Sequence, residues 1–333
     1  MPAVAERGAG VRGGAPRAKR ARRAATDRPP QPTAAMRVAP PIGGATRIAA
    51  VFGDPVEHSL SPAMHNAAYA ALRLDRAYLA FHVTPAMLRA AVRALPALGI
   101  VGVNLTVPHK ERALAMVDRL SAEARMLGAI NCIANRAGTL YGDNTDARGL
   151  ERDLAMRRVA LEAATAVVIG AGGAAAAAIV ACLRRGAHEV IIANRTPARA
   201  RGLARRLRAR LPRALGRAAL EVRGLDALAD AALLGRAAAV LNATPMGLTQ
   251  SAFARLDYAR TRRECFFYDL IYSAKPTAFL RPAIALGRPC ADGAGMLVGQ
   301  GELAFELFNG VAPPRGVMRG ALWSALGRSG RAR

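Results

Sequence analysis

Residues 165–175 read Thr165-Ala166-Val167-Val168-Ile169-Gly170-Ala171-Gly172-Gly173-Ala174-Ala175. Thr165 and the four small or branched apolar residues after it make a short, fully buried type of strand. A G-x-G-x-x-A turn follows, then an alanine-rich run out to about Arg185 that reads as a helix. Glycines between a strand and a helix let the backbone approach a pyrophosphate, and the helix N-terminus offers it free N–H donors. This context predicts a doubly wound α/β domain that holds a dinucleotide.

The next strand, Glu189–Ala193, ends in Asn194-Arg195-Thr196. An NAD site would carry an acid there for the ribose hydroxyls. Arg195 with Thr196, assisted by Arg199, suits a 2′-phosphate instead, so the cofactor expected is NADP. Leu203, Leu207 and Leu211 form the buried stripe of the following helix, and its other arginines read as a solvated face. A strand ends at Val240-Leu241-Asn242-Ala243-Thr244-Pro245-Met246-Gly247, in a polar turn expected beside the nicotinamide. Another is expected over Phe267–Tyr272. Gly293 to Gln300 opens a helix running to Phe308, and a last helix near Arg319–Leu326 is expected to pack back on the first domain.

Upstream of the glycine loop the pattern is again strand and helix in alternation, which indicates a mostly parallel sheet. Strands are expected at Arg47–Phe52, Tyr78–Val83 and Gly99–Val107, and helices at Ala63–Leu72, Pro85–Leu95, Ser121–Leu127 and Gly149–Arg157. Ligands in such sheets sit beyond the carboxyl ends of the strands. Ser59, Ser61, Asn104, Thr106 and Lys110 fall there. Pro62 fits the first helical position with Ser61 as N-cap, yet two hydroxyls at a helix start also suit a carboxylate. His58 reads as a residue that fixes the loop. Asn131 interrupts an apolar strand, as a structural bridge or as a substrate contact.

Lys110 is singular. Of 48 basic residues only Lys19, Lys110 and Lys275 are lysine. Arginine cannot release a proton near neutral pH, whereas a partly desolvated lysine can. Lys110 follows Pro108 where a helix is expected to begin, and reads as a proton-transfer group against the alternative of a solvated surface lysine. Asp146 is either a helix cap or a carboxylate that holds and exchanges a proton with Lys110.

Composition bounds the alternatives. The net charge is +25, but it is spread along the chain without interleaved aromatics, so specific nucleic-acid binding is not expected. No apolar run reaches membrane-spanning length. The four cysteines form no C-x-x-C pair, which supports neither zinc nor disulfides and suits a cytoplasmic protein with reduced thiols. Residues 1–45 are rich in Ala, Arg, Pro and Gly, with no periodic apolar face. They read as a disordered basic extension, with a start near Met36 as one hypothesis. The remaining chain is expected to divide into a substrate-binding catalytic domain (46–147), a dinucleotide domain (148–290) and returning C-terminal helices (291–333).

Together these stretches resemble the shikimate dehydrogenase family. The residues that carry the resemblance are the serine loop at 58–62, N-x-T-x-P-H-K at 104–110, G-A-I-N at 128–131, D-N-T-D at 143–146, G-A-G-G-A at 170–174, N-R-T at 194–196, N-A-T-P-M-G at 242–247 and G-x-G-M-L-V-x-Q at 293–300. The resemblance implies reversible reduction of 3-dehydroshikimate to shikimate with NADPH, a step of chorismate and aromatic amino acid biosynthesis. It implies Ser59 and Ser61 on the substrate carboxylate, with Thr106, Asn131, Tyr272 and Gln300 on ring hydroxyls. Lys110 and Asp146 would be the catalytic pair. The cofactor would contact Gly170, Ala171, Gly172, Gly173 and Ala174, then Asn194, Arg195, Thr196 and Arg199, and also Leu270 and Gly293. Leu105 stands in place of the family's usual valine. Ser273-Ala274-Lys275-Pro276 departs from the usual Asn-Pro. A quinate/shikimate dehydrogenase of broader preference is the nearest alternative; a regulatory module without catalysis and an RNA-binding protein are the others. A homodimer is one expectation for its assembly, and neither a membrane nor a metal is expected.

Overall fold

The computed structural model describes residues 41–246, 253 and 256–328. The first 40 residues of the expected extension and the motif residue Gly247 lie outside the described residues. Within the described part of that extension, Gly43 and Thr46 close a turn: Gly43 N donates to Thr46 Oγ1 at 2.9 Å, and Thr46 Oγ1 donates to Asp75 at 2.6 Å.

The first lobe runs β1 (Arg47–Gly53), α1 (Ser61–Leu72), β2 (Arg76–His82), α2 (Leu88–Ala94), β3 (Gly102–Leu105), β4 (Arg119–Leu120), α3 (Ala122–Leu127), β5 (Cys132–Arg136), β6 (Thr139–Asp143) and α4 (Asp146–Met156). Its six strands lie in the order β2-β1-β3-β5-β6-β4. β1 pairs in parallel with β2 and β3, whereas β5 is antiparallel to β3 and β6. The β5–β6 hairpin is an addition to the sequence reading. Its tight turn uses Ala137 at φ 50° and Gly138 at φ 92°, the primed geometry that matches strand twist. Asn135 Oδ1 accepts from Gly138 N at 2.9 Å and holds the turn.

The second lobe runs β7 (Thr165–Ile169), α5 (Gly173–Arg184), β8 (Glu189–Ala193), α6 (Pro197–Arg208), α7 (Arg213–Gly216), β9 (Ala219–Arg223), α8 (Ala231–Arg236), β10 (Ala237–Asn242), β11 (Phe266–Asp269), α9 (Leu280–Ala285) and β12 (Cys290–Asp292). All six strands are parallel, in the order β12-β11-β10-β7-β8-β9. That order reverses between β7 and β10, which opens a crevice at the carboxyl ends of the strands. Alanine dominates α5 for a packing reason. Ala175 to Leu183 are all buried, and small side chains let the helix lie close on the sheet while also meeting α4.

Two helices tie the lobes together. α4 leaves the first lobe and leads into β7. α10 (Ala294–Asn309) returns from β12 and buries Val298, Phe305 and Phe308 among Met64, Tyr69 and Tyr78 of the first lobe. α11 (Val317–Ala325) packs on α1. α4 and α10 cross at backbone distance: a Cβ on Gly149 would lie 2.5 Å from Gln300 N, and one on Gly299 would lie 2.8 Å from Gly149 O. Among the described residues no helix is long and apolar enough to cross a membrane, and no cluster of acids, His and Cys is spaced to hold a metal. Cys132, Cys182 and Cys265 are buried free thiols.

Candidate active site

A cleft of about 390 Å³ lies between the lobes. Its first-lobe wall is built from strand ends. β3 ends in Asn104 and Leu105, followed by Thr106 and, past Pro108, by Lys110. No α-helix begins at Lys110. The chain instead makes a turn and then a single 3₁₀ stretch, Arg112–Met116. The expected helix over Pro85–Leu95 likewise shortens to Leu88–Ala94, and the strand expected over Gly99–Val107 to Gly102–Leu105. Met87 N, Gly99 N and Ile100 N make turn bonds, to Thr84 O, Pro96 O and Leu95 O, whereas Val101 N and Thr106 N still donate to Ile48 O and Phe52 O of β1.

Lys110 Nζ donates to Asp146 Oδ2 at 2.6 Å, with side-chain exposures of 25% and 6%. Asp146 occupies the first turn of α4, but the N-cap is Thr145 and the carboxylate is turned into the cleft. Its own N–H donates to Asn144 Oδ1 at 3.0 Å in an Asx-type turn, and no side chain caps the helix. Asn131 is 2% exposed. Its Nδ2 donates to Asp146 Oδ1 at 2.8 Å and lies 3.3 Å from Gln300 Oε1, and its Oδ1 accepts from Thr145 N at 2.8 Å. One amide therefore bridges α4, α10 and the strand end, and the same atoms face the cleft. Gln300 Nε2 donates to Leu297 O at 3.0 Å.

Ser61 does not cap α1. The N-cap is Leu60, no side chain caps the helix, and Ser61 and Pro62 fill its first positions. Ser61 lines the cleft, where its hydroxyl meets the Tyr78 phenol, while its N–H lies 3.4 Å from Ser59 Oγ. His58 is exposed on the rim and makes no hydrogen bond among the described residues, so it does not fix the loop as expected. Tyr272 faces this wall from the second lobe. Burial pushes its phenol up, against a hydrogen bond from the Leu60 backbone.

Ala174, Leu270, Gly293, Met296 and Leu297 form the opposite wall. Gly170, Ala171, Gly172 and Gly173, and also Asn194, Arg195, Thr196 and Arg199, are not among the cleft-lining residues. They continue the same strand-end surface beyond it, after β7 and β8. The loop fits a dinucleotide on its own geometry. Gly170 has φ 127° and an added Cβ there would lie 3.0 Å from Ala243 O, while Gly172 and Gly173 have open space where side chains would be. No side chain caps α5, so its first N–H groups stay free for an anion. Asn194 Nδ2 donates to Thr196 O at 2.9 Å and braces the turn, and Arg195 and Arg199 are exposed without acidic partners among the described residues.

Some contributors carried no sequence signal. Tyr78, fully buried, donates to Asn104 Oδ1 at 2.7 Å from beneath the cleft floor; its strand register is invisible in an apolar run. Asp269 accepts from Asn242 Nδ2 at 3.0 Å and Thr277 at 2.5 Å, joining the ends of β10 and β11, and burial lifts its carboxyl to about 6. Met296 was legible only as part of a motif.

A family model described as the substrate binding domain of shikimate dehydrogenase matches residues 51–133, and one described as shikimate/quinate 5-dehydrogenase matches 153–270. A third, the shikimate 5′-dehydrogenase C-terminal domain, matches 293–322. The chain is 41% identical over 293 residues to the shikimate dehydrogenase (NADP(+)) of a Geobacter species, covering 87% of this chain and 99% of that one. It is 45% identical over 287 residues to the protein of the same name from Rubrobacter xylanophilus, covering 85% and 98%. The crystal structure of shikimate 5-dehydrogenase from Thermus thermophilus, in complex with NADP(H) and shikimate, superposes with a TM-score of 0.74 at 36% identity, covering 84% of this chain and 100% of that one.

Proposed function

Because this chain belongs to the shikimate dehydrogenase family, we propose that it is an NADP-dependent oxidoreductase interconverting shikimate and 3-dehydroshikimate in the cleft between its lobes. The observation that carries this reading is the Lys110–Asp146 pair, 2.6 Å apart and set among hydroxyls and amides opposite the dinucleotide loop. NADP, when bound, supplies and accepts the hydride. The glycine loop and the free N-terminus of α5 would hold its pyrophosphate, and Arg195, Thr196 and Arg199 its 2′-phosphate.

The chain's own residues do the rest. Ser59 and Ser61 hold the substrate carboxylate, and Thr106, Asn131, Tyr272 and Gln300 hold ring hydroxyls. The Lys110 ammonium hands a proton to the oxygen of the carbon being reduced, and takes one back in the reverse direction, because an alkoxide left without a proton is a high-energy species. Asp146 fixes the ammonium through one carboxylate oxygen, and Asn131 fixes Asp146 through the other. In this assignment residues 46–147 bind substrate, 148–290 bind cofactor, and 291–333 return to complete the site. A homodimer and a cytoplasmic location belong to the same proposal, to be tested by light scattering and cell fractionation.

The deciding assay follows NADP reduction with shikimate, then with quinate, then with NAD substituted. Turnover with shikimate and NADP well above the other combinations is expected. Preference for quinate with NAD would overturn the substrate and cofactor assignment together.

A further inference from the structure

From Arg195 to Arg217 the chain carries nine arginines and no acidic residue; the nearest acids in sequence are Glu189 and Glu221. All nine arginines are exposed. Elsewhere some arginines pair: Arg148 with Asp143, Arg157 with Asp153, Arg184 with Glu123, Arg236 with Glu189 and Arg328 with Asp292. Scattered single ones such as Arg47, Arg89 and Arg93 do not pair among the described residues, so it is the unbroken run that sets 195–217 apart. Among the described residues, none of the nine has an acidic partner. Helix stability accounts for Arg205, Arg206 and Arg208, which lie in the last turn of α6, but not for the arginines at its other end. Arg199 lies in the first turn of α6, which contains no acid, with Arg195 just before it and Arg201 just after. Cations at this end oppose the helix dipole at a cost of about 0.3–1 kcal/mol each. Arginines held against the dipole, next to the turn that ends β8, point to an external anion.

We propose that this arginine face is an electrostatic funnel for the phosphates of NADP(H), which speeds capture from solution beyond what Arg195 and Arg199 give by direct contact. The proposal rests on the NADP reading above. Along α6 the rise is about 1.5 Å per residue, so Arg201, Arg205 and Arg206 stand within roughly 10 Å of Arg199. That is about one Debye length at 0.1 M salt, so their field reaches the turn at low salt and is screened at high salt. A nucleic acid is the less favoured occupant, since residues 195–217 contain no aromatic side chain on which a base could stack.

The test is stopped-flow fluorescence of NADPH binding to the full chain, from about 0.02 to 0.3 M ionic strength. The triple substitution R201Q/R205Q/R206Q is compared with R47Q/R89Q/R93Q, which removes the same charge from exposed positions of the first lobe. The α6 variant is expected to lose roughly threefold or more in association rate at low salt, with a flatter salt dependence and an unchanged dissociation rate. The first-lobe variant should behave as wild type. Equal losses in both variants would reduce the effect to net charge and overturn the proposal. So would an unaltered α6 variant, or a change confined to dissociation. Tight duplex DNA binding abolished in the α6 variant, with NADPH association unaffected, would assign the face to nucleic acid. Wild type that binds no NADPH at any salt would defeat the NADP reading itself, and the funnel with it.

Discussion

Replacing Gly149 by alanine tests whether the contact between α4 and α10 sets the site. In an isolated helix this change is favourable by about 1 kcal/mol, because alanine loses less backbone entropy than glycine. Here the new Cβ would lie 2.5 Å from Gln300 N and 2.9 Å from Gln300 Cα, both backbone atoms of the partner helix. Ordinary contact begins at 3.4 Å, so the helices must separate by roughly 0.9 Å at the crossing. Overpacking of this kind costs about 1–3 kcal/mol, which offsets the helix gain and leaves a net loss of up to about 2 kcal/mol. For a protein of this size Tm should not rise, and should fall by up to roughly 8 °C. Function should suffer more. Asp146 is one turn before Gly149, and Gln300 is the residue pushed away, so the Asn131 amide can no longer reach both. A displacement near 1 Å at a reacting site costs about a hundredfold, and kcat/KM for shikimate should fall between tenfold and a hundredfold. Thermal denaturation followed by circular dichroism, with steady-state kinetics on the same preparation, checks both. A G149A protein with raised Tm and unchanged kcat/KM would refute the argument that backbone contact positions these two side chains.

Two further outcomes follow from particular side chains. His65 is fully buried with neither ring nitrogen hydrogen-bonded, and burial holds its imidazole down at about 3 from 6.5. The unfolded chain therefore takes up a proton that the fold refuses, so stability is complete above pH 6.5 and is lost as pH falls toward 3. Between pH 6.5 and 5 this amounts to about 2 kcal/mol in urea unfolding, a slope that His65→Leu should remove. Arg195→Ala should raise KM for NADPH by about tenfold or more while leaving that for NADH nearly unchanged, because only the former carries a 2′-phosphate. Equal losses for the two cofactors, measured side by side, would place Arg195 elsewhere.

Much of the second lobe was readable because its signals are local. The glycine loop, the strand before it and the helix after it are adjacent in the chain, and a parallel buried sheet writes its strands as uninterrupted apolar runs. The first lobe was less legible where pairing is not local. The hairpin at 132–143 depends on a two-residue turn at Ala137-Gly138, which carries a weaker signal than Asn-Gly, and β4 is only Arg119–Leu120. Site residues announced themselves by rarity, as with Lys110, or by polarity in an apolar setting, as with Asn131. What the chain could not announce was which groups meet. Thirty-six residues separate Lys110 from Asp146, and 169 separate Asn131 from Gln300; only the crossing of α4 and α10 over the strand ends brings them together. Helix rules also misdirected. Ser61 and Asp146 sit where caps belong, but Leu60 and Thr145 hold the cap positions and leave both side chains to the cleft.

The central claim is that the amine held by Asp146 carries the proton in step with hydride transfer. Its most direct measurement is single-turnover oxidation of NADPH by Lys110→Ala with saturating 3-dehydroshikimate, so that chemistry and not product release is observed. A rate lower by about two to four orders of magnitude, with substrate affinity changed far less, is the result expected for a positioned acid–base group. A single-turnover rate equal to that of the unaltered chain would contradict it.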